Sequence, residues 1–197
     1  MKTVTLSLEQ EVSYEMGMLL AKDFSVTPDE PFHDEFELGS EYILAQIDSE
    51  PVGILRLSPW PVSPMTYWLA TTKSPNPFIL EAGSIEVTGT VVGPEYRQRG
   101  LYRLIMLSTL LHCKARGAKV VCLAVEPGFP LMGFLHEIGF VTLGEPLTFG
   151  SGTIHRLDAV PLQIDLSTAD PELWKRNFAI RCAASQDAGL AVSHQLF

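Results

Sequence analysis

Residues 84–102, SIEVTGTVVGPEYRQRGLY, join a carboxylate in a β-branched run to an arginine-flanked turn. Glu86 stands two residues from Thr88 and four from Thr90, and the period of two in a strand places all three on one face. A carboxylate in an otherwise apolar strand costs free energy unless it is paired or solvated. Glu86 is therefore either a general base, acting directly or through water, or a structural carboxylate at the strand's start, near solvent or paired with Arg56. The run ends at Gly93-Pro94. Six residues after the proline comes Gly100, and an apolar, helix-favouring stretch begins at Leu101. This order predicts a buried strand, a tight basic turn and a helix start. The first N–H groups of a helix lack internal partners, and the helix dipole is positive there. The turn of Arg97, Gln98, Arg99 and Gly100, leading into Leu101 and Tyr102, is thus a natural seat for an anionic phosphate. The same order also serves an ordinary strand–turn–helix junction.

Other elements must position these groups. Residues 2–6 alternate weakly and read as a first strand. Ser7 and Gln10 have capping-box spacing, which predicts a helix over residues 8–24 with Leu8, Val12, Met16, Leu19 and Leu20 on its apolar face. Residues 25–40 are acidic and proline-bearing and read as a loop. Strands at 42–47 and 52–57 flank the turn Asp48-Ser49-Glu50-Pro51, which predicts a hairpin. Residues 58–83 hold five of the fourteen prolines and show no clear periodicity; loops this long inside compact domains are often functional. The segment 101–116 is amphipathic and ends at Gly117, a C-terminal cap. Residues 119–125 read as a buried strand, and a short helix over 131–138 leads to Gly139-Phe140. Strand-like segments follow near 140–149 and 153–166. Asp170-Pro171 has the form of a cap and first-turn proline for a last helix over 171–182. The tail beyond Cys182 carries little signal. Strand, helix and strand from 84 to 125 make one βαβ unit, and the strands around it make the sheet mixed. A single α+β domain over residues 1–197 is expected, without repeats.

The chain has 197 residues, 46% hydrophobic and 19% charged, which suits one domain with a substantial core. Its net charge of −9 argues against a nucleic-acid partner, which demands a basic face. Arg97, Arg99 and Arg103 therefore mark a local anion site, or, for Arg103 above all, solvated helix-surface charge. Cys113, Cys122 and Cys182 are widely spaced and form no C-x-x-C, so they indicate neither a zinc site nor a disulfide framework. Cys113 and Cys122 read as small core residues. Acidic residues interrupt the N-terminus before any apolar core forms, unlike a signal peptide, and no apolar run approaches a membrane span. A reducing, cytoplasmic compartment is the expected setting, with no metal.

Val92, Pro94, Arg97 and Gly100 resemble the donor-binding motif of the GNAT superfamily of N-acyltransferases, in which V-x-P precedes a basic R/Q-x-x-G-x-G/A turn. The resemblance implies a GNAT-like mixed sheet flanked by helices, with two central strands splayed to admit a thioester arm. It implies acetyl-CoA, a longer acyl-CoA or an acyl-phosphopantetheine as donor, cradled by Arg97, Gln98, Arg99, Gly100, Leu101 and Tyr102. A backbone N–H at Val91 or Val92 would face the developing oxyanion, and Glu86 would take the proton of the attacking amine. Two positions depart from the motif. Gln98 stands where glycine is common, and Tyr102 stands where a small residue is usual, so its ring has to point away from the phosphates. Many family members carry a tyrosine five residues before the phenylalanine of the later Gly-Phe, as acid for the leaving thiolate. Here that position is Leu135, and Glu126-Pro127 replaces the asparagine usual after the preceding strand. His136, otherwise a surface helix residue, or a loop tyrosine is the available substitute. A thiolate whose thiol has a pKa of about 8.5 also leaves unaided.

A narrower stretch resembles the acyl-homoserine-lactone synthases and related N-acyl amino acid synthases. Asp34-Glu35-Phe36-Glu37, the strand at 42–47 and Val52-Gly53-Ile54-Leu55-Arg56-Leu57 follow their acidic element, strand and V-G-x-x-R-L. Glu86, Gly139-Phe140 and Leu143-Gly144-Glu145-Pro146 answer to later pieces, so the likeness covers roughly residues 30–165. Gly89 stands where that family has a strand arginine, and its N-terminal Arg, Phe and Trp pattern is not evident in residues 10–30.

The expected function is that of an N-acyltransferase acting on a small-molecule amine, with acyl-CoA or an acyl carrier protein as donor. Two alternatives stay open: an autoinducer-synthase-like or N-acyl amino acid synthase, and a donor-binding protein without catalysis. A homodimer is one of the open oligomeric states. Met106, Met132, Phe134 and Leu135 either line an acyl tunnel or pack the core.

Overall fold

The computed structural model describes residues 2–24, 29–150, 156–187, 190–194 and 196. The elements run β1 (Lys2–Glu9), α1 (Tyr14–Phe24), β2 (Glu41–Ile47), β3 (Glu50–Pro59), α2 (Pro64–Thr71), β4 (Ser84–Val92), a single 3-10 turn (Pro94–Tyr96), α3 (Leu101–Ala115), β5 (Val120–Val125), α4 (Met132–Glu137), β6 (Val141–Thr142), β7 (Leu147–Phe149), β8 (Leu157–Asp165), α5 (Pro171–Asp187) and β9 (Leu190–His194). The strands form one sheet in the order β6-β8-β5-β4-β3-β2-β1-β9, with β7 beside β8. Neighbours β4–β5 and β1–β9 are parallel and the other pairs antiparallel, so the sheet is mixed as expected.

Alternation along the strands sends apolar residues to both faces. One face carries the main core, in which Ile43, Leu55, Leu57 and Val87 pack with Leu104, Ile105 and Leu107 of α3, Phe134 and Leu135 of α4, and Trp174 of α5. The other face is split. Met16, Leu19 and Leu20 of α1 pack on Tyr42, Leu44, Ile54 and Val91, whereas Met65, Trp68 and Leu69 of α2 pack on Cys122, Phe149 and Ala159. The hairpin turn is tighter than four residues. Asp48 and Ser49 alone bridge β2 and β3, both at positive φ (53° and 69°), as a two-residue turn between twisted strands requires.

Other expectations fail as well. The spacing of Ser7 and Gln10 is not a helix cap: β1 continues to Glu9, Ser7 donates to the Glu9 carboxylate at 2.8 Å, and α1 is capped by Ser13, whose Oγ accepts the Met16 amide at 3.2 Å. Pairing with β2 out to Glu9↔Tyr42 outweighs the local signal. Residues 58–83 contain α2, which begins with Pro64 in its first turn, where a missing N–H costs nothing; eight residues are too few to show a helical period. The tail is also ordered: α5 runs on to Asp187, and β9 pairs in parallel with β1 from Lys2↔Leu190 to Leu6↔His194.

Two local features shape the centre. Ile54 pairs with Val91 but Arg56 with Thr88, so β4 carries one extra residue there. Gly89 lies in that bulge at φ 58°, a conformation that L side chains rarely adopt, and a Cβ would come within 3.2 Å of Leu20. The bulge shifts the phase of the strand. Glu86 and Thr88 share a face, but Val91 joins the α1 side and Val92 the α3 side, so Thr90 does not fall in register with Glu86 as strict alternation predicts. The second feature is a fork. β4 and β5 pair only from Ser84↔Val120 to Val87↔Leu123, although β4 continues to Val92 and β5 to Val125.

Candidate active site

Glu86 sits one residue before the last β4–β5 pair, at the apex of the fork. It is 1% exposed. The Ser63 hydroxyl donates to Oε1 at 2.5 Å and the Met65 amide donates to Oε2 at 2.8 Å. Both donors belong to the start of α2, so the carboxylate also satisfies an amide that the helix leaves without an internal partner. Burial pushes the Glu86 pKa up to about 7, against the lowering pull of those two bonds and of the Arg56 charge. A carboxyl group poised near neutrality can accept and release protons under ordinary conditions. Cys122, opposite on β5, is no nucleophile: its thiol is buried, donates to the Ile85 carbonyl at 3.7 Å, and is pushed far above the usual thiol range by burial.

A polar seam runs from Glu86 between the two apolar clusters of this face. Arg56 Nε donates to Thr88 Oγ1 at 2.8 Å, and Nη1 donates to both Asp34 carboxylate oxygens at 2.7 and 2.8 Å. The guanidinium lies 5.7 Å from the Trp68 ring centroid. Ser58, opposite Glu86, shares a 2.9 Å hydrogen bond with Ser40, whose hydroxyl also donates to the Phe36 carbonyl at 2.6 Å. Arg56 is thus the ion-pair partner of Asp34, not of Glu86. Tyr42, opposite Arg56 in β2, is buried at the same seam, and burial pushes its hydroxyl up to about 12, which makes it a poor acid near neutrality. Ser63 and the Met65 amide are the partners that sequence reasoning missed. The signal was present: Ser63-Pro64 has the form of a cap followed by a first-turn proline.

The turn at the other end of β4 is built as the sequence predicts. Gln98 and Gly100 hold left-handed conformations, φ 62° and 82°. Gly100 is the N-cap of α3 and offers its first amides no side-chain partner. Arg97 Nε donates to the Val92 carbonyl at 2.9 Å, bracing the turn against the strand end. Arg99 lies over the Tyr96 ring at 5.9 Å. Leu101 is anchored in the main core, and Tyr102 turns its ring edge-on to Phe129 at 5.4 Å. Val91 and Val92 lie beyond the last β5 pair, on the open limb of the fork. A left-handed backbone costs a residue with a Cβ roughly 1 kcal/mol. Gln98→Gly is therefore expected to stabilise the fold by about 0.5–1 kcal/mol, read as a rise in Tm.

The remaining candidates are placed away from chemistry. His136 is exposed, and its Nδ1 lies 2.9 Å from the Phe140 carbonyl, closing the end of α4. Leu135 is buried in the main core with Met106 and Phe134. Tyr67 falls on α2 rather than in a loop, half exposed and edge-on to Phe36. His33, in the loop before β2, pairs with Glu37 at 2.8 Å. His155 lies outside the described residues. Among the described residues no three His, Cys, Asp or Glu side chains are grouped to hold a metal ion, and no helix is long and apolar enough to cross a membrane.

The family model described as Acetyltransferase (GNAT) family matches residues 12–140. The solved structure of MesI, a CoA-dependent acyl-homoserine lactone synthase, is similar with a TM-score of 0.63 and 18% identity, over 89% of this chain and 95% of that one. BjaI, a CoA-dependent acyl-homoserine lactone synthase solved with MTA, gives 0.62 and 17%, over 100% and 95%. A Bacillus subtilis acetyltransferase in complex with CoA gives 0.57 and 17%, over 82% and 98%. At these identities the likeness is one of fold. No curated protein matches the chain.

Proposed function

The chain belongs to the GNAT family of acetyltransferases, and from that premise we propose that it passes an acyl group from a CoA or carrier-protein thioester to a small-molecule amine by direct attack. The observation that carries this reading is Glu86: a buried carboxyl group with a pKa raised to about 7, at the apex of the β4–β5 fork. On the same strand, β4 ends in a turn with uncapped helix amides. A donor phosphate held by those amides lies about 20 Å from Glu86 at the rise of a strand, so an extended arm reaches back along the open limb.

The amine nitrogen attacks the thioester carbonyl and forms the C–N bond. Its proton passes to Glu86, directly or through one water. The oxyanion forms beside the main-chain N–H of Val91 or of Val92. The C–S bond then breaks and the thiolate departs, taking up a proton to leave as the thiol. With Leu135 at the usual acid position, this last step relies on the intrinsic acidity of the thiol, with a pKa of about 8.5.

A narrower reading, an acceptor amine derived from an amino acid, is favoured by one feature. Asp34 and Arg56, the acidic and basic positions of the synthase-like stretch, meet in a buried ion pair beside Thr88. MesI and BjaI, which share the fold, are described as CoA-dependent acyl-homoserine lactone synthases.

Thiol release from short- and long-chain acyl-CoA donors across an amine panel tests the proposal. Saturable release that depends on an added amine is the expected result. Donor binding by native mass spectrometry with no release for any amine and any chain length would instead mark a donor-binding protein. Turnover restricted to long chains and amino-acid-derived amines would select the narrower reading.

A further inference from the structure

We propose that α5 completes the donor site: Arg181, facing Arg103 of α3 beside the turn at Gly100, holds a second phosphate, the 3′-phosphate of a nucleotide thioester. The proposal rests on the donor reading above and adds an element outside the family match, which ends at residue 140 whereas α5 begins at Pro171.

The geometry begins at Ser185. Its Oγ lies 3.9 Å from the position a Cβ would take on Gly100, so the last turns of α5 lie against the first turn of α3. Arg181 is one turn earlier in α5 and Arg103 nearly one turn later in α3, which brings the two level on antiparallel helices. Their charges act on one another: burial first, and then the Arg181 charge, lower the Arg103 pKa, against the raising pull of the Glu137 charge. The Arg103 guanidinium lies over the Phe134 ring at 5.1 Å. Arg181 Nε is buried and without a hydrogen-bond partner among the described residues. Neither guanidinium forms an ion pair with a described carboxylate.

Two arginines held together repel one another, the Glu137 charge acts on Arg103 without an ion pair between them, and a buried N–H donor without an acceptor adds to the cost. In a chain with 23 acidic and 14 basic residues, counter-charges are plentiful, so an arginine pair that no described carboxylate bridges is informative. A phosphate answers both arginines, because its oxygens match the planar guanidinium fork. The uncapped amides of α3 provide one anion seat at Gly100, and the arginine pair provides another about one helical turn, or 5.4 Å, further on. Two phosphate seats so close suit a nucleotide that carries a 3′-phosphate as well as its 5′-phosphates.

Calorimetric titration of the full chain with adenosine 3′,5′-bisphosphate and with AMP provides the test. Wild type is expected to prefer the bisphosphate by about tenfold or more, since a charge-assisted pair is at stake. R181M is expected to bring the two within about twofold of each other and to leave AMP affinity unchanged, while R181K keeps part of the preference. Should R181M fail to fold, the Arg181 Nε–Hε resonance of wild type decides: it shifts with the bisphosphate and not with AMP. Equal affinities in wild type, no measurable bisphosphate binding, or a preference that survives in R181M overturns the proposal. So does a KM for an acyl carrier protein that rises in R181M while the two nucleotides stay indistinguishable, which would assign the arginines to acidic side chains of that protein. The donor reading itself is judged separately. Thiol release without nucleotide preference removes this inference alone, and nucleotide preference without thiol release from any donor removes the transferase alone.

Discussion

Glu86→Gln is expected to lower kcat/KM by about 10²–10³-fold and to remove the extra decline below neutral pH that protonation of Glu86 adds to that of the amine. The wild-type carboxyl group titrates near pH 7 because burial disfavours its charge more strongly than Ser63, Met65 and Arg56 favour it. The base form exists above that pH, so wild-type kcat/KM should fall as pH drops through 7. In the glutamine variant only the acceptor amine's own ionisation should shape the profile. Profiles of kcat/KM from pH 5.5 to 9 with a fixed amine check this; a variant with wild-type kcat/KM and an unchanged acid limb removes Glu86 from the chemistry.

The same shift has a consequence for stability. The folded-state pKa lies above the ordinary glutamate value of about 4.5, so the folded chain keeps a proton that the unfolded chain releases. The contribution of Glu86 to stability is full below about pH 4.5 and is lost as pH rises through 7, by on the order of 3 kcal/mol. Urea unfolding at pH 5 and pH 8 should show that decline in wild type, and Glu86→Gln should flatten it by a similar amount.

Asp34→Ala is expected to destabilise the fold by about 3–5 kcal/mol. The Arg56 and Asp34 side chains are only 2% and 1% exposed, and both Asp34 oxygens accept from Arg56 Nη1. Removing the carboxylate leaves a guanidinium buried beside Trp68, with Thr88 as its remaining hydrogen-bond partner. The larger part of the cost is that of an uncompensated charge, and the Phe36 amide also loses its 3.0 Å acceptor. Adding Arg56→Met to Asp34→Ala should therefore recover part of the loss, as a double-mutant cycle by urea denaturation would show. A double variant less stable than Asp34→Ala alone would mean that Arg56 holds the seam together through Thr88 and Trp68 instead.

The turn from Gly93 to Gly100 was legible because it is local. Gly93-Pro94 stops β4 and Gly100 starts α3, and the left-handed φ at Gln98 and Gly100 agrees with glycine being the common residue at both positions. The mixed sheet was legible for the same reason, since the 84–125 unit and the hairpin at Asp48-Ser49 are read from runs of a few residues. The partners of Glu86 were not. Ser63 and Met65 lie 23 and 21 positions away on a helix too short to show a period, and whether Glu86 met them, Arg56 or solvent depended on where α2 packed. Thr90 left the Glu86 face because Gly89 bulges against β3 and α1, a matter of pairing.

The chain by itself determined the signals that neighbouring residues impose: strand alternation, proline and glycine stops, an arginine-flanked turn and a carboxylate in an apolar strand. Only the tertiary structure decided what that carboxylate is worth. Its pKa follows from desolvation under α2, the pairing of Arg56 follows from the return of the Asp34 loop, and the placing of Arg181 beside Arg103 follows from the docking of α5 on α3. Burial and charge pairing depend on distance in space, and separation along the chain does not fix that distance.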